Sequence, residues 1–441
     1  MDKPIVIDLF CGAGGESSGL LQAYNDYSIG IEMYAVNHWD LALETHGLNH
    51  PDAKHYCEDV FKGTAKRHIK NRRVELLWAS PECIFHSRAR GKAGPCNEQS
   101  RAGAYSINYW CADQVVDRVI AENVAEFLDW GPVDGGGKPI PEYKGAYFRK
   151  WVKDLESLGY IVQWRKLCAA DYGTPTSRVR LFVQAVRKKS GKKIIWPDPT
   201  HTRDQWLPAA CVIDWGDLGT PLSQRKRPLA DKTMARIARG AEKYWGEYAE
   251  PYLVILRGTS TVRDIRTPLP TVTAGGRHFG LVCPIDNGST PGGVRPIGMP
   301  LSTIVTKQKH ALVTPLVMGQ HSGSQAKPVD ANPIPTVTTV ARVQLLTPLI
   351  MSYYGNGSCT PVTSPLPTVT TKGRFGMATP LELDIGFRML TPAELALAQG
   401  FSKEYKFAGN KTEVTKQIGN AVPPPFAYHQ VKPYVEELVA A

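Results

Sequence analysis

The chain carries one cysteine just after an apolar run, with an acidic and a basic block farther along. Residues 74–78 predict a buried strand, and Cys83 follows in a loop. Most free cysteines are small buried hydrophobic residues, so Cys83 alone would indicate little. Glu122 lies in Glu122-Asn123-Val124 and Arg180 in Arg178-Val179-Arg180. A thiol, an acid and a cation together suit covalent catalysis with charge stabilisation.

A strand, a glycine-rich turn and a helix precede that cysteine. The apolar stretch 5–10 predicts the strand, and Gly12, Gly14 and Gly15 follow it. Glycines let the backbone turn sharply and let a cofactor approach without a Cβ in the way. A dinucleotide is a competing ligand for such a turn, but the Gly-x-Gly-x-x-Gly spacing is not present here.

A second predicted strand covers residues 28–31 and ends at Glu32. An acidic residue at the carboxyl end of this strand accepts hydrogen bonds from ribose hydroxyls in nucleotide-binding folds. A solvated glutamate at a strand end is the alternative interpretation. Glu32 is therefore a candidate ligand of a cofactor that contains ribose.

Five blocks occur in one order along the chain and end with Gln417-Ile418-Gly419-Asn420. The others are 8–15, 79–83, 122–124 and 178–180. In this order they resemble the blocks of DNA (cytosine-5) methyltransferases, and the resemblance covers about 1–186 and 386–427. It implies methyl transfer from S-adenosylmethionine to carbon 5 of cytosine in a specific DNA sequence. A base inside a duplex must be flipped out for such chemistry.

The resemblance implies a role for each matched residue. Cys83 adds to carbon 6 of the ring, Glu122 holds or protonates nitrogen 3, Arg180 orients the base and Arg178 lies close by. Arg88 and Arg90, in the basic loop after Cys83, close over DNA phosphates. The implied S-adenosylmethionine pocket comprises Phe10, Gly12, Gly14, Glu32, Asp59 and Asn420, with Asp59 on the adenine amino group.

Three positions depart from the family pattern. Glu82 replaces the usual proline before the cysteine, Ile84 replaces glutamine or asparagine after it, and Thr176 replaces a glutamine. A carboxylate beside the nucleophile raises the pKa of its thiol unless that carboxylate is paired or turned away. These departures bear on the rate and on loop contacts more than on the type of reaction.

Alternating strands and helices from 4 to about 186 predict a doubly wound, mostly parallel α/β sheet. The resemblance makes this a Rossmann-like S-adenosylmethionine-dependent methyltransferase domain. Proline, glycine, threonine and valine dominate 251–380, and helical periodicity returns at Thr391, a predicted N-cap, with Pro392 at the first helical position. We expect a catalytic domain at 1–195, an inserted, mostly β target-recognition domain at 196–381, and a segment at 382–441 that rejoins the first domain.

The predicted insertion contains a short repeat. Copies begin at 269, 301, 334 and 366, so their starts lie 32, 33 and 32 residues apart, as expected for a repeated supersecondary unit. A cation follows each start by eight residues: Arg277, Lys309, Arg342 and Arg374. Surface charge at loop tips would explain them, but the shared offset predicts a row of cations facing one DNA groove.

Composition limits the remaining possibilities. The net charge of +11 favours a polyanionic partner, here double-stranded DNA, and a restriction endonuclease is a candidate second partner. Nine cysteines without a CxxC pair argue against a disulfide framework and a tetrathiolate zinc site, so we expect no metal. Reduced thiols are typical of the cytosol, so we expect the protein in the cytoplasm of a bacterial or phage-infected cell. No apolar run is long enough to span a membrane, and we expect a monomer. A transfer-RNA cytosine-5 methyltransferase and a catalytically inactive DNA-binding module remain as alternatives.

Overall fold

The structure, a computed structural model, describes residues 3–82, 102–244, 251–256, 262–274, 279–286 and 383–440, and short strands between 316 and 378. The chain divides into two compact units. The first comprises Met1–Asp214, Ile265–Arg277 and Leu390–Ala441, and the second comprises Trp215–Asp264 and His278–Met389.

The first unit is built on a sheet of seven described strands. These are β1 Ile5–Leu9, β2 Glu32–Asn37, β3 Lys54–Cys57, β4 Val74–Ala79, β5 Val116–Asn123, β6 Tyr160–Cys168 and β7 Val179–Arg187. Their order is β3-β2-β1-β4-β5-β7-β6. The first five are mutually parallel, whereas β7 runs antiparallel to both β5 and β6.

The described helices alternate with these strands and continue into the C-terminal part. They are α1 Gly15–Asn25, α2 Asp40–Asn49, α3 Thr64–Ile69, α4 Tyr105–Asp113, α5 Ala146–Ser157, α6 Asp231–Tyr244, α7 Pro392–Ala398, α8 Lys411–Asn420 and α9 Pro424–Ala440. All except α6 belong to the first unit.

Both faces of the central strands are buried, as the continuous apolar runs predict. On one face, Ile7 of β1 shares a core cluster with residues of α4 and α5, including Trp151. On the other face, Val6 shares a cluster with residues of α1 and α9, including Leu20 and Phe426. The helices therefore cover the sheet from both sides, which confirms the doubly wound α/β prediction for this part of the chain.

The second strand lies later than predicted. β2 begins at Glu32, and Ser28 instead has a left-handed backbone (φ 56°) in the turn after α1. Residues 33–37 are all buried, because a central parallel strand has helices on both faces. The predicted strand at 28–31 is therefore wrong, and the register moves Glu32 to the opposite edge of the sheet from the glycine-rich turn.

The C-terminal segment belongs to the first unit from Leu390 onward. Thr391 caps α7 in a reciprocal capping box with Glu394, and Pro392 is its first residue, as the sequence predicts. Helices α1 and α9 approach so closely that a Cβ on Gly19 would lie 2.1 Å from the carbonyl oxygen of Pro424. A glycine at this position therefore allows the two helices to pack.

The first unit also extends beyond residue 195, the predicted boundary. Trp206 Nε1 donates to Asp171 Oδ1 at 3.0 Å, and the Asp214 N–H donates to Glu394 Oε1 at 2.8 Å. The change in composition near 196 therefore marks an irregular stretch of the first unit, and the boundary lies at 214.

The described part of the second unit consists of strands and α6. The strands are β8 Thr220–Pro221, β9 Tyr252–Ile255, β10 Val262–Asp264, β11 Phe279–Asp286, β12 Leu316–Val317, β13 Lys327–Pro328, β14 Leu349–Ser352, β15 Cys359–Pro361, β16 Phe375–Ala378 and β17 Leu383–Met389. One sheet has the order β10-β9-β11-β17-β8, and Ile237 of α6 lies in its core with Tyr252. Within the described residues, no helix has the length and apolar character needed to cross a membrane.

Candidate functional site

The carboxyl ends of three adjacent strands, β1, β4 and β5, bring the predicted catalytic and cofactor segments to one edge of the sheet. Phe10 follows β1, Glu82 lies three residues after β4, and Glu122 is the penultimate residue of β5. Ligands of open α/β sheets bind at this edge. Cys83 comes directly after Glu82 but, like Arg88 and Arg90, it lies outside the described residues.

Glu122 and Arg180 form a buried ion pair at this edge. Arg180 Nε lies 2.9 Å from Glu122 Oε1, and the two residues are 9% and 6% exposed. Antiparallel register pairs Glu122 with Phe182, so the beginning of β7 lies beside the end of β5. Oε1 of Glu122 has no hydrogen-bond partner among the described residues, although Arg180 Nε lies beside it. The carboxyl group is therefore held in place by charge while one oxygen remains available to a ligand.

Asn123 holds the loop that leads to Cys83, a role that the sequence reasoning missed. Its Nδ2 donates to the carbonyl oxygen of Pro81 at 3.1 Å. The Ser80 N–H donates to the carbonyl oxygen of Leu9 at 3.1 Å, and Trp78 Nε1 donates to Ser80 Oγ at the same distance. The residues just before the cysteine are thus tied to β5 and to β1. The Glu-Asn-Val block was the available signal, since its asparagine neighbours the acidic residue.

Arg178 occupies a different environment from the one predicted. Its side chain is buried, and Nη1 donates to the carbonyl oxygens of Val272 and Gly419, each at 3.1 Å. These are main-chain groups of the first unit, so Nη1 makes a structural contact that the sequence did not predict. The predicted catalytic role of Arg178 stays a prediction.

The glycine-rich turn has the left-handed backbone that glycines favour and that a sharp turn requires. Phe10, Gly12 and Gly14 all have positive φ angles, of 61°, 49° and 85°. A Cβ on Gly14 would lie 2.9 Å from the side chains of His50 and Tyr405, so only glycine fits there. A Cβ on Gly12 would approach nothing nearer than the Phe10 carbonyl oxygen at 3.8 Å, so this part of the turn is open to a ligand.

A buried chain of hydrogen bonds supports the turn and α1. Ser17 Oγ donates to Asp8 Oδ2 at 2.5 Å and contacts His46 Nε2 at 2.9 Å, and His46 Nδ1 lies 2.8 Å from His55 Nε2. Burial raises the pKa of Asp8 to about 7, although the Ser17 hydrogen bond opposes this shift. Burial, with the neighbouring histidines His50 and His55, holds the pKa of His46 well below its usual value. His46 is thus uncharged near neutral pH, whereas Asp8 is partly ionised there.

His50 and Tyr405 contact the turn itself. His50 Nε2 lies 3.3 Å from the Gly14 carbonyl oxygen, and the Tyr405 hydroxyl donates to the Ala13 carbonyl oxygen at 2.5 Å. Burial lowers the pKa of His50 to about 4. These contacts join residues 36 and 392 positions apart, and no local pattern in the sequence indicates them.

Glu32 lies at the amino edge of the sheet, opposite the glycine-rich turn. In the parallel register Glu32 pairs with Ile5, whereas the turn follows Leu9. Its carboxylate binds Arg72 at 2.7 Å, the Tyr34 hydroxyl at 2.6 Å and Lys54. The Arg72 hydrogen bond is the main cause that lowers the pKa of Glu32 below its usual range. Glu32 thus belongs to a local ion-pair network and not to the predicted cofactor pocket.

Asp59 and Asn420 are exposed, in the manner expected of ligand contacts. Asp59 lies two residues after β3, and its Oδ1 accepts the Phe61 N–H at 2.9 Å. The neighbouring Glu58 N–H binds the carbonyl oxygen of Asn37, at the end of β2. Asn420 is the last residue of α8. Their roles in cofactor binding stay predictions.

The repeat copies divide between the two units. The described copy, 269–273, lies in the first unit, next to β7 and α8. The copies at 301, 334 and 366, together with Arg277, Lys309, Arg342 and Arg374, lie outside the described residues. The predicted row of cations therefore remains a prediction.

Known proteins similar to this chain are DNA methyltransferases. The profile of the C-5 cytosine-specific DNA methylase family matches residues 5–435. The type II methyltransferase M.BspRI of Lysinibacillus sphaericus is 29% identical over 224 residues, which is 47% of this chain and 50% of that protein. M.Sau3AI of Staphylococcus aureus is 26% identical over 188 residues, or 42% and 43% of the two chains. The chain spans about half the length of the relatives it matches.

Two solved structures have a similar fold over nearly the whole chain. A prophage-encoded protein of E. coli, assigned as a DNA modification methyltransferase, superposes with a TM-score of 0.53 at 17% identity and covers 100% of both chains. A variant of Spodoptera frugiperda DNMT2 superposes with a TM-score of 0.50 at 14% identity and covers 98% of this chain and 99% of that one. At these identities the similarity concerns the fold.

Proposed function

Because the chain belongs to the C-5 cytosine-specific DNA methylase family, we propose that it transfers a methyl group from S-adenosylmethionine to carbon 5 of cytosine in a specific DNA sequence. The observation that carries this proposal is the buried Glu122–Arg180 pair, with Asn123 bonded to Pro81 in the loop before Cys83. This arrangement supports the proposal, because an acid and a cation lie beside the segment that leads to Cys83.

The chain's residues account for the steps of the reaction. The Cys83 thiolate adds to carbon 6 of cytosine, while Glu122 hydrogen-bonds or protonates nitrogen 3 and Arg180 stabilises charge that develops on the ring. The ring becomes an enamine, and carbon 5 becomes nucleophilic. Bound S-adenosylmethionine supplies an electrophilic methyl group to that carbon. Loss of the carbon 5 proton to solvent, cleavage of the sulfur–carbon 6 bond and return of any nitrogen 3 proton to Glu122 then regenerate the thiolate and release the methylated base.

Residues at the carboxyl edge of the sheet form the proposed cofactor pocket. Phe10, Gly12 and Gly14 supply a turn that is open on the Gly12 side, and Asp59 and Asn420 supply exposed polar groups. Glu32 is excluded by its position at the amino edge. Polar residues at the carboxyl end of β2, from Asn37 to Asp40, are better placed to bind the ribose hydroxyls.

The second unit is the proposed target-recognition domain. Its two segments, 215–264 and 278–389, interrupt the first unit along the chain, as expected for an insertion. Arg88, Arg90 and the four repeat cations are proposed to contact the DNA phosphates or base edges while the target base is flipped out. Phosphate contacts of this kind make affinity depend on salt concentration.

Bisulfite sequencing of DNA from cells that make the protein tests the proposal and reveals the recognised sequence. We expect one sequence context to become protected from conversion, and cells making the Cys83→Ser protein to show none. A parallel assay with transfer RNA as substrate tests the RNA alternative. Methylated RNA with unmodified DNA would replace the DNA proposal, and no product from either substrate would support the inactive binding module.

A further inference from the structure

Arg178 connects three parts of the first unit that are far apart in sequence. The residue lies immediately before β7, and its side chain is 2% exposed. Nη1 donates to the carbonyl oxygens of Val272 and Gly419, 94 and 241 positions away. A buried guanidinium is costly to desolvate, so its bonds to otherwise buried carbonyls specify one arrangement of these segments.

The segment around Val272 is seated on the first unit by further main-chain contacts. The Ser177 N–H donates to the Leu269 carbonyl oxygen at 2.8 Å, and the Leu269 N–H donates to the Pro175 carbonyl oxygen at 3.0 Å. Leu269 and Val272 are fully buried. Along the chain this segment, 265–277, is flanked on both sides by the second unit. The first repeat copy therefore belongs to the first unit, although the segments before and after it in sequence belong to the second.

Gly419 makes the other side of this contact. A Cβ at this position would lie 2.3 Å from the carbonyl carbon of Thr273 and 2.4 Å from the nitrogen of Ala274, and both are main-chain atoms that cannot rotate aside. The next residue, Asn420, ends α8 and is exposed. The direction of Asn420 is thus set by the packing of Gly419 on 273–274 and by the bond from Arg178.

We propose that Arg178 is a positioning residue that ties the first repeat copy to the end of α8 and so holds Asn420 toward S-adenosylmethionine. The first repeat copy then serves the cofactor pocket, unlike the three copies predicted to face DNA. This inference rests on the proposed function, since it assigns Asn420 to that cofactor.

Arg178→Met removes the hydrogen bonds to Val272 and Gly419, and Gly419→Ala disrupts the packing on 273–274. Gly135→Ala is the matched control, because a Cβ there would approach nothing within 4 Å. Calorimetry with S-adenosylhomocysteine gives cofactor affinity, and steady-state methylation of DNA gives kcat and the KM for S-adenosylmethionine. We expect both variants to weaken cofactor affinity by up to about fivefold, the loss expected for Asn420→Ala, with a raised KM and a kcat within threefold of wild type at saturating cofactor. The control should match wild type.

Other outcomes separate the possible failures. Wild-type affinity for S-adenosylhomocysteine in Arg178→Met, with a greatly reduced kcat, would overturn the tie and return Arg178 to a role on the target base. If Arg178→Met does not fold, Arg178→Lys retains a donor for one carbonyl and should give an intermediate affinity, whereas unchanged affinity in Arg178→Lys and Gly419→Ala would overturn the proposal. A wild-type protein that binds no S-adenosylhomocysteine would instead refute the proposed function.

Discussion

Glu82 Oε1 lies 3.6 Å from His38 Nε2. His38 follows β2 and Glu82 follows β4, so the pair spans the carboxyl end of β1, the strand between them in the sheet. The side chains are 40% and 60% exposed, and an exposed pair of this kind contributes only ~0–1 kcal/mol to stability. Its interest is chemical, because the carboxylate that replaces the usual proline before Cys83 has a basic partner.

The pH dependence of methylation should report this pair. A protonated His38 compensates the negative charge of Glu82 and a neutral imidazole does not, so His38→Ala should slow methylation only on the acidic side of the pH–rate profile and leave its midpoint unchanged. Glu82→Pro should move it downward. In the double variant the His38 substitution should have no further effect. Identical profiles in all four proteins would show that Glu82 does not influence Cys83.

The nucleophile can be identified by trapping. A duplex with 5-fluorocytosine at the target should form a denaturant-stable complex with the wild-type protein, because fluorine prevents the loss of a proton from carbon 5. Cys83→Ser should form none and should lose methylation to background, since a serine hydroxyl is a far weaker nucleophile. Methylation by Cys83→Ser at the wild-type rate would refute the covalent mechanism.

Glu32 and Asn420 should give opposite results in cofactor binding. Asn420→Ala removes a proposed hydrogen bond and should cost ~1 kcal/mol, or about fivefold in the Kd of S-adenosylhomocysteine. Glu32→Gln should leave that Kd unchanged, because Glu32 lies at the other edge of the sheet. The same variant should unfold ~1 kcal/mol more easily through its weakened bonds to Arg72 and Lys54. A Glu32→Gln protein with impaired cofactor binding would contradict this assignment.

Acid stability should depend on His50. Its pKa is about 4 in the folded protein because of burial, against 6.5 ordinarily, so folding is favoured above pH 6.5 and this contribution is lost as the pH falls toward 4. The loss between pH 7.5 and 5 is roughly 2 kcal/mol, which His50→Gln should remove. Asp8 changes stability in the opposite direction with pH. Its pKa is raised to about 7, so the stability that it contributes is lost as the pH rises through 7.

Urea unfolding at pH 7.5 and pH 5 measures this difference. The Asp8 contribution is common to the wild type and the variant, so it cancels in the comparison. His68→Gln is the control, because His68 is exposed and lies outside the turn. Equal losses of stability in wild type and His50→Gln would show that His50 does not govern the acid transition.

The four cations that follow the repeats can be tested one at a time. Alanine at a base-reading position among Arg277, Lys309, Arg342 and Arg374 should cost ~1–3 kcal/mol and relax specificity at one base pair. Loss of a phosphate contact should weaken binding to every sequence alike and reduce the salt dependence by about one counterion. If all four variants bind and methylate DNA like the wild type, the repeats have a structural role and these cations do not read the DNA.

The sequence by itself determined those features that depend on neighbouring residues. The N-cap at Thr391 and the first helical position of Pro392 follow from adjacent residues, and the structure has both. The order of the five blocks likewise indicated the family, because each block is a short contiguous stretch. Only the tertiary structure decided where Arg178 points, that Glu32 begins its strand, and that Asn123 holds Pro81. Those contacts join residues that are distant in the chain, and their geometry depends on sheet register and packing that no local periodicity encodes.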